Sequence, residues 1–395
     1  MGRAISGQKL CGIWKRDMKD TFLVLVYFVL IQVFVYSFIY FLNGEIPFQI
    51  AWYKLETYHY VEDPRTWGGE FDFFGSLGQW DGQWYLKIAE SGYGDLSSRD
   101  DLLEYAFFPT YPLLIAAFNI LTLDIERSAF LLGFLLQPLT YFSVYYVVGK
   151  VYSKKVALRA VLLTFLYPFS IVFRGYYSDV LYLLLLIWFV YFLSTKKFLR
   201  SALFLAFLNV TRGVGWPLNV LFLFFSLQAL RQSKLTLKNL FLNLIAIITP
   251  MFAWLSLNYE NTGYPFYFLN IRSEWWSGFP FSLFFNLSKF VEFPVAAFHL
   301  IYSSQVNVIT FILFLLVLVK SSQKMKPEFW WTSLVILLFP FLVNAMNSRF
   351  QVVNFPIFVY LANTLNDWQY LFVVLLFWVI LLFTSLYFVN WHWVG

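Results

Sequence analysis

Long apolar stretches separated by short polar ones run through the whole chain. An α-helix needs about 20 residues to cross the hydrocarbon core of a bilayer. On that measure the pattern predicts spans at roughly 21–42, 128–148, 157–173, 179–194, 200–212, 216–230, 239–258, 301–319, 329–346, 351–365 and 370–389, or about eleven crossings. The spans at 200–212 and 351–365 are short, so the count carries an uncertainty of two. The first run, Thr21–Leu42, is uncharged and too long for the apolar core of a cleavable leader, so none is expected. No internal repeat, linker or low-complexity tract breaks the pattern. The expected class is an all-α polytopic membrane protein.

Composition agrees. The chain is 60% hydrophobic, 23% aromatic and only 13% charged, where soluble domains average about 25% charged. Its one cysteine, Cys11, excludes a disulfide framework and a thiolate metal site. Eighteen of the 28 basic residues fall in five clusters: Arg3–Lys19, Lys150–Arg159, Lys196–Arg200, Arg231–Lys238 and Lys320–Lys326. Cytoplasmic loops carry such excess, so these five share one side. The net charge of +6 is thereby explained by topology, and no nucleic-acid partner is expected. One membrane domain over residues 1–395 follows, with a cytoplasmic tail at 1–20, a first outer loop at 43–127 and a second long outer loop at 259–300. Phe107–Leu123 is apolar over only about 17 residues, the lower limit for a span, and holds Pro109 and Pro112. Were it to cross, Lys150–Arg159 would face outward, so it is expected to be a re-entrant or interfacial helix.

Against this frame one polar stretch stands out, Gly78–Leu113 in the first outer loop. Asp81 sits between Trp80 and Trp84, residues that favour the membrane interface. Its ordinary reading is a helix N-cap. The run that follows sets Trp84, Tyr85, Ile88 and Ala89 against Gln83, Lys87 and Glu90, and predicts a helix lying flat on the membrane. A partly desolvated carboxylate there can also accept a proton from a hydroxyl. Four arginines stand alone in apolar surroundings on the same side: Arg174, Arg212, Arg272 and Arg349. Ionisable groups near membrane depth are costly and usually functional, and a guanidinium fork matches phosphate oxygens. Each can instead pair with a neighbouring acid, Arg174 with Asp179 or Arg272 with Glu274. Asp179, heading a span, reads first as a structural partner.

Several chemistries lack their residues. His59, His299 and His392 are scattered without ligand spacing, which weakens a zinc site and a histidine-dependent acyltransferase. No phosphate-binding Gly-rich loop supports ATP-driven transport. A single acid without a close second ligand is a weak case for a divalent metal, so no cofactor is expected.

The stretch WDGQWYLKIAESGY (Trp80–Tyr93), followed by FFPTYP (Phe107–Pro112), resembles the polytopic mannosyltransferases of the GPI mannosyltransferase II type (PIG-V) and their prokaryotic relatives, within the GT-C glycosyltransferases. Looser likenesses follow in Tyr167–Tyr182, Asn209–Trp216, Thr262–Phe268 and Ser348–Phe358. The chain departs from the family in having Tyr177-Ser178-Asp179 where a Tyr-Ser-Glu is usual, and Gly263-Tyr264-Pro265 where relatives often have Gly-Asp-Pro. The resemblance implies a GT-C bundle with interfacial helices in its first outer loop, and a sugar donor on a polyprenyl phosphate (dolichyl-phosphate mannose in eukaryotes). It implies a general base at Asp81. Trp80, Tyr85, Asp179 and the four arginines are then the candidate substrate contacts, with Arg349 and Arg212 foremost for phosphate. A lipid or glycan is the expected acceptor, and the bilayer the setting: the cell membrane in a prokaryote, the endoplasmic reticulum in a eukaryote. A partner subunit is left open. Rival readings are a lipid transporter or flippase, against which no pair of broken helices in matching halves is legible, and a non-catalytic lipid-binding subunit.

Overall fold

The chain is described here by a computed structural model over residues 7–55, 59–94, 102–275, 304–342 and 348–394. Every regular element among them is helical, as a lipid-embedded chain without a closed barrel requires. The first helix, α1 (Gly7–Leu42), leads into a loop carrying α2 (Ile50–Leu55), α3 (Phe73–Leu77), α4 (Asp81–Ser91) and α5 (Thr110–Thr122). Then come α6 (Ile125–Val151), α7 (Lys154–Phe165), α8 (Asp179–Ser194), α9 (Phe198–Asn209), α10 (Leu218–Arg231), α11 (Leu237–Thr262) and α12 (Tyr267–Trp275). The last four are α13 (Ser304–Ser321), α14 (Pro327–Leu342), α15 (Phe355–Thr364) and α16 (Asp367–Val389). Five helical stretches are by themselves long and apolar enough to cross a membrane: Asp20–Glu45, Ile125–Val151, Gly213–Arg231, Leu237–Thr262 and Asp367–Val389. The protein is a multi-pass membrane protein whose other apolar helices are shorter.

Ion pairs mark one end of the bundle. Lys154 meets Asp20 at 3.3 Å, Lys155 and Arg159 meet Asp367, and Lys196 meets Glu328 at 3.0 Å. Residues of two basic loops thus sit with the start of the apolar stretch Asp20–Glu45 and the beginnings of α14 and α16. At the opposite end Asn390, just past α16, bonds Asn43 O at 2.8 Å and Gln49 N at 2.9 Å. Asp81 belongs to this second end, since Gln79, two residues ahead of it, donates to Val389 O at 3.1 Å.

Two expected spans are half-helices. The span at 157–173 leaves the helix at Phe165, because Pro168 lacks an N–H and disfavours α geometry at Tyr167. Leu166–Ser178 continues as irregular backbone with one 3-10 turn, and all of it is buried. The span at 351–365 begins its α-helix only at Phe355, with Pro356 in the first turn, after a 3-10 stretch at Ser348–Val353. The half-helices α7 and α15 pack side by side, and the irregular stretches beside them touch. Both expected spans are thus only partly α-helical, and their helical parts lie together. Both irregular stretches are enclosed almost entirely by protein, where irregular backbone is tolerated.

The surroundings of α4 differ from expectation: Gly82–Ile88 is buried, so its polar face does not meet water. Its polar face is covered by the chain: Gln83 Oε1 accepts from Tyr60 N at 2.9 Å, and Lys87 pairs with fully buried Glu104 at 3.2 Å. α5 packs on α4 and α6 and, at 13 residues, is too short to cross. It leaves Leu113, Ile120 and Leu121 exposed.

Candidate active site

Four charged side chains from four separate parts of the chain meet at the second end. Asp81 opens α4. The cap position itself belongs to Trp80, whose backbone adopts φ 55 and ψ −126, and no side chain caps the helix. A non-glycine residue there is strained by about 1–3 kcal/mol and needs surrounding structure to hold it. The indoles of Trp52, Trp391 and Trp393 supply that hold, with centroids 5.1–5.8 Å from Trp80. The turn leaves the Asp81 carboxylate free of capping duty. Its Oδ2 accepts from Arg349 at 2.7 Å. Among the described residues Oδ1 meets no donor.

Arg349 also faces Asp179 at 3.6 Å, and Asp179 in turn pairs with Arg212. Two acids and two bases thus alternate, and their charges cancel. The guanidinium of Arg349 lies over the Tyr177 ring at 4.6 Å, and that of Arg212 over Phe350 at 5.2 Å. Such cation–π contact suits a desolvated arginine. Burial works against the charge of Arg349, but Asp81 and Asp179 more than offset it and raise its pKa. Burial, and then Asp81, push the Tyr177 phenol well up, and burial raises that of Tyr85. Both phenols therefore stay protonated as donors. Tyr177 donates to Gln79 O at 2.9 Å, and the Tyr85 hydroxyl shares a hydrogen bond with Ser178 at 2.8 Å. These two bonds tie the Asp81 loop to the Tyr177–Asp179 turn. Gly175 permits their approach, since a Cβ there would stand 3.1 Å from Leu77 O.

Exposure separates the two acids. The Asp81 side chain is 29% exposed and that of Asp179 only 1%. Asp81 can meet a substrate, whereas Asp179 is the shared counter-ion of two arginines. Of the residues singled out by sequence, Trp80, Asp81, Tyr85, Asp179, Arg212 and Arg349 come together. Arg174 does not join them and does not pair with Asp179. It is buried, donating to Gln32 at 2.9 Å and to Ser170 O at 3.0 Å. The side chains of Arg272 and Glu274 lie outside the described residues. Tyr177 and Trp393 were not foreseen as neighbours of the site. The adjacency of Tyr177 to Asp179 was a usable signal, but Trp393 had none in so aromatic a chain. Among the described residues no three His, Cys, Asp or Glu side chains gather.

No family model matches the chain, and no curated protein does. Among solved structures the fold is similar to that of ArnT from Cupriavidus metallidurans bound to undecaprenyl phosphate, with a TM-score of 0.52 and 13% identity. The match covers 88% of this chain and 62% of that one, so the chain spans less than two thirds of its structural neighbour's length. Identity this low speaks to fold alone, and the fold is a helical membrane bundle similar to that of ArnT.

Proposed function

We propose that the protein is an inverting glycosyltransferase of the GPI mannosyltransferase II type. In this reading it moves a sugar, mannose first, from a polyprenyl phosphate to a hydroxyl of a lipid-linked or glycan acceptor on the extracytoplasmic face. The observation that carries the reading is the partly exposed Asp81 carboxylate bonded to buried Arg349, at the end of the bundle away from the basic loops. The undecaprenyl phosphate bound by ArnT supports the donor class. Mannose rests on the resemblance of Trp80–Tyr93 to the mannosyltransferases.

Asp81 Oδ1 accepts the proton of the acceptor hydroxyl as that oxygen attacks the anomeric carbon from the side opposite the phosphate. The new C–O bond forms while the bond to the phosphate oxygen breaks, and the electron pair leaves on the phosphate. One displacement inverts the configuration. The departing phosphate is a weak base and needs no proton. Its growing charge is met by Arg349 and Arg212, held in place beforehand by Asp179, Tyr177 and Phe350, as electrostatic catalysis requires.

Purified protein incubated with a panel of labelled polyprenyl-phosphate sugars tests the proposal. General-base help contributes about 10²–10⁴-fold, so Asp81→Asn should lower turnover at least about 10²-fold. Near-normal turnover by that variant removes Asp81 from the role. EDTA should leave transfer unchanged. Transport is the rival reading, since short helices paired as α7 and α15 are also found in transporters. Movement of labelled lipid across vesicles without cleavage of its sugar would decide for it.

A further inference from the structure

Beyond α16 the chain folds back over the Asp81 end. Trp391 N donates to Gln79 Oε1 at 3.1 Å, and the His392 ring meets Pro47 O at 2.9 Å. Trp391 turns at φ 61 and buries its indole. This seating delivers Trp393 to the charged cluster. Its ring stands 5.1 Å from Trp80, at 72°, and 5.9 Å from the guanidinium of Arg349. Trp80 and Trp393 both remain partly exposed. Since Trp80 precedes Asp81 and Arg349 bonds it, the two indoles flank the groups that would act on the donor's anomeric carbon and its phosphate.

We infer that Trp393, with Trp80, forms the wall on which the sugar ring of the donor rests. The inference depends on the glycosyltransferase reading and adds a sugar subsite to it. A hexose has a face of polarised C–H groups, and an indole face carries the negative part of its quadrupole. Indoles also lose little conformational entropy when a ligand settles on them. Trp393 is held in place through Trp391, whose N–H bonds Gln79, two residues from Asp81.

The test compares binding of undecaprenyl phosphate with binding of a set of undecaprenyl-phosphate hexoses, by purified protein in detergent. Wild type should prefer its best hexose lipid over the bare lipid by about 3–10-fold, the range of one aromatic contact. Trp393→Leu keeps apolar bulk without a π face and should abolish that preference while leaving affinity for the bare lipid unchanged. Trp393→Phe should keep most of it. A preference retained in Trp393→Leu, or absent from wild type that binds the bare lipid, overturns the subsite. An equal loss for both lipids also overturns it, reducing Trp393 to a support for Arg349. Wild type that binds neither lipid overturns the glycosyltransferase reading itself.

Discussion

Asp81 and Arg349 share one hydrogen bond, and this sets what each substitution should do. In Asp81→Asn an anion beside Arg349 disappears, so the cluster changes from neutral to a net charge of +1. Affinity for polyprenyl phosphate should therefore rise while turnover falls, as measured by a lipid-binding titration beside the transfer assay. A fall in both would mean that Asp81 serves mainly to hold the arginine. Arg349→Gln is expected to weaken donor binding and to cost stability as well, because Asp179, 1% exposed, then loses one of its two cations. Asp81 is legible from sequence because an acid among interfacial aromatics has few uses. Its partner is not legible, since residues 81 and 349 lie far apart in sequence and none of the four lone arginines differs from the others in local context. Arg174 shows the consequence: it has the same isolated setting, yet it is spent inside the bundle on Gln32 and Ser170.

At the scale of elements, α4 carries Asp81 and is itself held by a buried ion pair. Lys87 and Glu104 are 10% and 0% exposed at the side chain, and Glu104 also accepts from Gly94 N at 3.1 Å. Breaking such a pair from one side costs about 3–5 kcal/mol, and replacing both partners with apolar groups costs far less. Glu104→Leu should thus lower the midpoint of thermal unfolding in detergent, and Lys87→Met with Glu104→Leu should recover most of the loss. The amphipathic pattern of Asp81–Ser91 predicted a helix correctly but gave it the wrong surroundings. A polar face of Gln83 and Lys87 fits water or protein equally well, and only the fold of Tyr60–Val61 and Leu103–Ala106 over it decides. The half-helices α7 and α15 were hidden for a similar reason. Hydropathy counts apolar residues and does not see that Pro168 ends one helix early and that Pro356 favours a helix start.

For the whole molecule, the sorting of charge between two ends makes topology testable. With Cys11 replaced by serine, a cysteine at Gln232 should react with an impermeant thiol reagent only from the cytoplasmic side. One at Ser91, near the end of α4, should react only from the opposite side. Both positions are exposed. Labelling of both from one side would end the proposal of an extracytoplasmic site.

The all-helical membrane class of the molecule was already present in hydropathy and charge, because lipid imposes those rules residue by residue. The acid was legible too, as a local exception to them. Its arginine partner, the buried counter-ion Asp179 and the tryptophan beyond α16 came only from three-dimensional packing. Electrostatic and aromatic contacts act through space, and the chain brings residues 81, 179, 349 and 393 together from segments whose local patterns say nothing about one another.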